Sequence, residues 1–124
     1  MFNTVLFPID QSRQAAETAL VTLKLVKQHD SRLVLLSVVE PDQDDPAAVA
    51  QLLEEAHGHF AQEGVTCELI ERQGKPAFVI GDVADEINAD VIVMGTRGMA
   101  IESDEQSTAA RVIQLAPCPV LVVP

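Results

Sequence analysis

Five short runs of apolar and β-branched residues recur along the chain: TVLFPI at 4–9, RLVLLSVV at 32–39, VTCELIE at 65–71, VIVMG at 91–95 and VLVV at 120–123. Between them lie four stretches whose apolar residues recur at three-to-four spacing, the repeat of one helix face. This alternation restricts the fold more than any other feature. Successive parallel strands need a crossover, and that crossover is right-handed. The spacing predicts helices over 12–29, 47–63, 76–88 and 103–115. An α/β domain over 1–124 follows, a parallel sheet of five strands with helices on both faces. Periodicity alone leaves the strand order open.

The punctuation agrees with this division. Ser12 is a plausible N-cap for the first helix, Gly64 a stop for the second and Pro76 a first-turn residue for the third. The acidic PDQDDP at 41–46 reads as a loop and RQGK at 72–75 as a turn. Inward faces are expected through Ala16, Ala19, Leu20, Leu23 and Val26 in the first helix. The second uses Val49, Leu52, Leu53, Ala56 and Phe60, and the third Phe78, Val79, Val83, Ala84 and Ile87. RLVLLSVV is apolar nearly throughout, as a strand covered on both faces should be. VTCELIE alternates in part and suits a sheet edge.

Composition narrows the function. Aromatic residues make up 3% of the chain and hydrophobic ones 48%, so the core is built from Val, Ile, Leu and Ala. The net charge of −11 repels nucleic-acid phosphates and acidic membrane surfaces, which argues against both as partners. Neither Cys67 nor Cys118 belongs to a C-x-x-C pair, and both read as reduced, buried small hydrophobes. The amino end lacks a basic, apolar leader pattern and no apolar run approaches membrane-spanning length, so a cytoplasmic protein is expected.

In an open parallel sheet, ligands sit beyond the carboxyl ends of the strands, where the order reverses. The residues to inspect are therefore Asp10 and Gln11, those at 37–40 and 71–75, and those at 95–107. Asp10 could accept from a ribose hydroxyl or an adenine amine, or it could cap the first helix with Ser12. Catalytic sets are missing from the sequence. His29, His57 and His59 form no triad or metal spacing, and neither G-x-x-x-x-G-K-[ST] nor G-x-G-x-x-G is present. A phospho-receiver domain would want paired acids after the first strand and a lysine after the last.

The chain resembles a single-domain universal stress protein over essentially its whole length. The resemblance rests on VLFPIDQS, LLSVVE, QGKPAFVI, ADVIVMGTRG and APCPVLVV. It implies the strand order 3-2-1-4-5, a Rossmann-like arrangement with its reversal between the first and fourth strands. It also implies an ATP fingerprint of Gly, two residues, Gly, nine residues, Gly, then Ser or Thr. Gly95 and Gly98 match the first two glycines, and Asp10 matches the acid that contacts adenosine. Pro8, Val38 and Met94 match the lining of the base pocket. Arg97 could meet a phosphate or be a solvated loop residue. The second half departs from the pattern. The third glycine falls at Gln106 and the hydroxyl at Ser107, with seven residues after Gly98 instead of nine.

Three of those seven, Glu102, Asp104 and Glu105, are acids. A carboxylate about 4 Å from a phosphate charge costs roughly 1 kcal/mol in water and about 4 at an effective dielectric of 20. The same residues fit a capping box with Ser103 at the N-cap and Gln106 at N3, where acids meet the positive helix end. Alternatively, Asp104 and Glu105 could hold Mg²⁺. The sequence is read as a stress-response protein acting non-enzymatically, with no required cofactor and with ATP binding weak or lost. The alternative is a sensor that binds ATP or AMP. The family resemblance implies a homodimer through the last strand (Val120, Leu121, Val122 and Val123), against the alternative of a monomer, and an unidentified protein partner is possible.

Overall fold

The computed structural model describes residues 2–9, 15–95 and 108–124. Nine elements follow in chain order: β1 (Thr4–Pro8), α1 (Ala15–His29), β2 (Arg32–Val39), α2 (Pro46–Gln62), β3 (Cys67–Gln73), α3 (Pro76–Glu86), β4 (Val91–Gly95), α4 (Thr108–Leu115) and β5 (Val120–Val123). The strands form one sheet in the order β3-β2-β1-β4-β5, and every neighbouring pair is parallel. The expected fold class is observed, with the order reversing between β1 and β4.

Alternation along the strands divides the core in two. Val5, Phe7, Leu33, Leu35, Val91 and Val93 pack with Leu23 and Val26 of α1 and with Leu53 and Phe60 of α2. Leu6, Val34, Leu36, Ile92 and Met94 pack with Ala77, Ile80 and Val83 of α3 and with Ala109 and Val112 of α4. Each strand of the centre thus buries both faces, which explains the uninterrupted apolar runs.

Local signals account for most element ends. Asp45 caps α2, its side chain accepting from Ala47 N at 3.1 Å, and Pro46 occupies the first turn. Such a cap is worth about 1 kcal/mol. The acidic loop before it is closed by Glu40, whose carbonyl accepts from Gln43 N and Asp44 N and whose N–H donates to the Asp44 side chain. Asp30 and Asn88 end α1 and α3 with φ of 52° and 53°, doing the work usually given to glycine. Gly74, at φ 138°, turns β3 into α3; a Cβ there would stand 2.9 Å from Val79 Cγ2.

Three expectations are corrected. β3 runs on through Arg72 and Gln73, because parallel pairing with β2 continues to Val39↔Gln73. Phe78 is 52% exposed and Ala77 and Ile80 face the sheet in its place, so the inward stripe of α3 is rotated from the expected one. In α1, Ala16 and Leu20 are exposed, Leu20 by 49%, and Thr18 and Thr22 are buried beside Leu23 and Val26. Thr22 satisfies its hydroxyl on Thr18 O at 2.8 Å, which makes it acceptable inside. The start of the first helix at Ser12, and residues 103–107 of the fourth, lie outside the described residues.

Arg32 and Glu68 form a forked pair between β2 and β3, with Nη2 to Oε1 at 2.8 Å. The hydrogen bond from Arg32 holds the Glu68 carboxyl below its ordinary range. A depressed carboxylate contributes stability above its unfolded pKa and loses it as pH falls through the folded value. Both side chains are about half exposed, so the contribution stays under about 1 kcal/mol.

Candidate functional site

The reversal point is built by a proline. Ile9 N donates to Leu36 O of β2 at 2.8 Å. Successive strand residues direct their N–H groups to opposite neighbours, so the donor position of residue 8 faces β4, and Pro8 has none to offer. Residue pairing between β1 and β4 covers only Val5↔Val91 and Leu6↔Ile92. Beyond that the two strands continue to Pro8 and Gly95 without further pairing, which opens the sheet at its carboxyl edge. At the opposite, amino edge the same two strands are held firmly. The Asp90 carboxylate accepts from Thr4 N at 2.8 Å, and Asp90 N donates to Thr4 O at 2.8 Å. The two strands are therefore tied at the amino edge by a side-chain and a backbone bond, and at the carboxyl edge their ladder lapses where Pro8 has no donor.

Of the expected site residues, four are described. Pro8 and Met94 are buried, and Val38 and Gly95 are partly buried. Val38 and Met94 pack with the α3 and α4 side of the core. Pro8, two residues after Leu6, falls on that same face by strand alternation. The three side chains thus share one face at the ends of β1, β2 and β4, an apolar shelf suited to a planar ring. Asp10, Arg97, Gly98 and Ser107 lie outside the described residues.

A separate feature occupies the other face. A cavity of about 410 Å³ lies between α1 and α2, over Phe7 and Ile9, and reaches Pro8 and Gly95 at the carboxyl edge. Val38 and Met94 take no part in it. Ala16, Ala19 and Ala56 are among the residues that line it, and alanine side chains take up little of the space between the two helices. Sequence reading assigned these alanines to helix packing and missed the cavity. Two small-residue positions on separate helices show no joint signal until the crossover sets them opposite each other.

Ser37, one of the strand-exit residues, is buried, and its hydroxyl has no hydrogen-bond partner among the described residues. Burial pushes the Cys67 and Cys118 thiols up, helped at Cys118 by the Asp90 charge. Both are free and held in the thiol form, which makes them poor nucleophiles. His57 stands 3.9 Å from Glu54, one turn away on α2. No group of three or more His, Cys, Asp or Glu able to hold a metal ion occurs among the described residues. None of their helices is long and apolar enough to cross a membrane.

Comparison with known proteins agrees over the whole length. The model of the universal stress protein family matches residues 1–124. The universal stress protein Sll1654 of Synechocystis sp. is 52% identical, over 100% of this chain and 87% of the relative. A universal stress protein of Thermus aquaticus is 35% identical, over 99% of both chains. Among solved structures, a universal stress protein in complex with cAMP superposes with a TM-score of 0.84 at 22% identity, over 98% of this chain and 96% of that one. That last likeness is one of fold.

Proposed function

This chain belongs to the universal stress protein family, and from that premise we propose that it is a non-enzymatic, homodimeric stress-response protein in which ATP binding is weak or lost. One contrast carries the reading. The apolar shelf at the reversal point is retained, while the segment expected to meet phosphates has Gln106 in place of a glycine and acids at 102, 104 and 105. In this reading Pro8, Val38 and Met94 receive the base and Asp10 its ribose or amine. Gly95 and Gly98 bring backbone close to the first phosphate, with Arg97 and Ser107 flanking it. Adenosine and its monophosphate then keep most of their contacts, and the β- and γ-phosphates meet carboxylates.

The solved neighbour that holds cAMP supports the monophosphate side of this reading, since it carries a single phosphate on a similar fold. Calorimetric titration with ATP and AMP, each with and without Mg²⁺, tests it. AMP is expected to bind more tightly than ATP under both conditions. Micromolar ATP binding that requires Mg²⁺ would instead make the chain an ATP sensor with Asp104 and Glu105 as metal ligands.

The dimer rests on β5. This strand ends the sheet order, pairs with β4, and exposes Leu121 by 39%. An apolar edge strand of this kind pairs readily with a second copy, and Pro124 would end such a ladder for want of an N–H. Leu121→Lys puts a charge on that edge and is expected to convert the dimer to a folded monomer, read by sedimentation at micromolar concentration. A wild-type chain that already sediments as a monomer would remove the dimer from the reading.

A further inference from the structure

We propose that the cavity between α1 and α2 is a binding site for a small apolar amine, one that borders the proposed nucleotide site at Pro8 and Gly95 but lies against α1 and α2, away from Val38 and Met94. Its volume of about 410 Å³ falls in the roughly 300–1,000 Å³ range of small-molecule pockets, toward the lower end, so the guest is small. The floor is Phe7 of the central strand and Ile9 just beyond its end, and Ala19, Leu52, Ala56 and Phe60 form the walls. A cavity so lined gains little from water, which needs polar partners to be held.

Leu20, half exposed on α1, lines the same space. A leucine at that position is poorly covered by the protein itself, and a guest in the cavity would cover it further. This also explains why α1 departs from the expected stripe. Ala16, Thr18, Ala19 and Leu20 line the cavity, and Leu23 and Val26 pack on the sheet.

The polar groups set the chemistry of the guest. Glu55 and His59, one turn apart on α2, line the cavity and are exposed to solvent. The Glu55 carboxylate accepts one hydrogen bond from Gln51 Nε2 at 3.3 Å, which leaves it capacity for a further donor. The chain carries a net charge of −11, which adds a long-range attraction for cations and repulsion for anions. A fatty carboxylate of the same shape would place its charge against Glu55. An amine places a donor there and its apolar body over Phe7 and Phe60.

The test uses the neutral fluorophore N-phenyl-1-naphthylamine at pH 7 with the full chain. Saturable fluorescence enhancement is expected, and decylamine should displace the probe at least tenfold more effectively than decanoate. Glu55→Gln should bring that ratio toward one. Ala56→Leu fills the cavity and should abolish enhancement. Ala16→Leu, at an exposed helix position, should weaken it several-fold without disturbing the circular dichroism. The proposal fails if wild type gives no enhancement, or if natively folded Ala56→Leu and Ala16→Leu bind the probe as wild type does. It fails equally if decanoate competes as well as decylamine. Saturating AMP should leave the signal intact. Displacement by AMP would merge the cavity with the nucleotide site and overturn the separate assignment, whereas failure of AMP to bind at all would touch only the nucleotide reading.

Discussion

Phe60→Ala is expected to destabilise the fold by about 3–5 kcal/mol, lowering Tm by roughly 10 °C or more. Phe60 is fully buried, and its ring meets Phe7 edge-on with centroids 6.2 Å apart. In a core with almost no other aromatic residues, these two rings fill the space between α2 and the central strand. Truncation removes the transfer energy of the ring and leaves a void next to the existing cavity. The backbone at this position has its own role, since Phe60 O accepts from Glu63 N at 3.0 Å and Val65 N at 2.9 Å where α2 gives way to β3. Alanine keeps those bonds, so the loss reports on the side chain. Phe78→Ala is the matched control, with an expected change within about 0.5 kcal/mol because that ring is more than half exposed. Equal losses for the two substitutions, measured by urea denaturation, would contradict the assignment of faces on α3 and α2.

That control also marks where sequence reading stops. The strands were legible because both faces of β1, β2 and β4 are buried, so any run of Val, Ile and Leu points to them. Element type and order of appearance need nothing more than this. Helix faces are harder. In α1 and α3 apolar residues outnumber the positions the sheet can cover, and periodicity cannot say which of Leu20 and Leu23, or Phe78 and Ile80, is turned inward. Tertiary packing decided both. β3 ran two residues past its expected end because pairing with β2 outweighed the turn signal of the following glycine.

The site divides along a similar line. Pro8 was visible as a family residue, but its physical role follows only once Ile9 is seen donating to β2, which sets the direction of the missing donor. Asp90 lies in a stretch that carries the resemblance, but its structural role left no signal. An Asp before a strand looks like any turn residue, and its bond to Thr4 N spans 86 residues of sequence. The shelf of Pro8, Val38 and Met94 could be named from the resemblance, and strand alternation then puts all three on one face. The cavity on the other face could not be named, since alanines on two helices are the commonest of neutral features.

The second large effect concerns ATP. Glu102→Gly combined with Gln106→Gly is expected to raise ATP affinity at least tenfold, about 1.4 kcal/mol, while changing AMP affinity little. The first change removes a carboxylate whose repulsion of a phosphate at about 4 Å lies between roughly 1 and 4 kcal/mol, depending on solvent access. The second restores the residue type that lets backbone approach a phosphate without an intervening side chain. AMP serves as the internal reference because it shares the first phosphate and its contacts but lacks the β- and γ-phosphates that meet the acids in the proposed reading. The effect should shrink as salt rises, since exposed charges a Debye length apart are screened. If Mg²⁺ were already bridging the acids and the nucleotide, removing Glu102 would leave Mg-ATP affinity level or lower it, and the salt dependence would reverse. Unchanged ATP affinity in both the presence and the absence of Mg²⁺ would show that the acids were never the barrier. The shortened spacing between Gly98 and Ser107 would then be the remaining cause, and restoring two residues to that segment becomes the change that should recover binding.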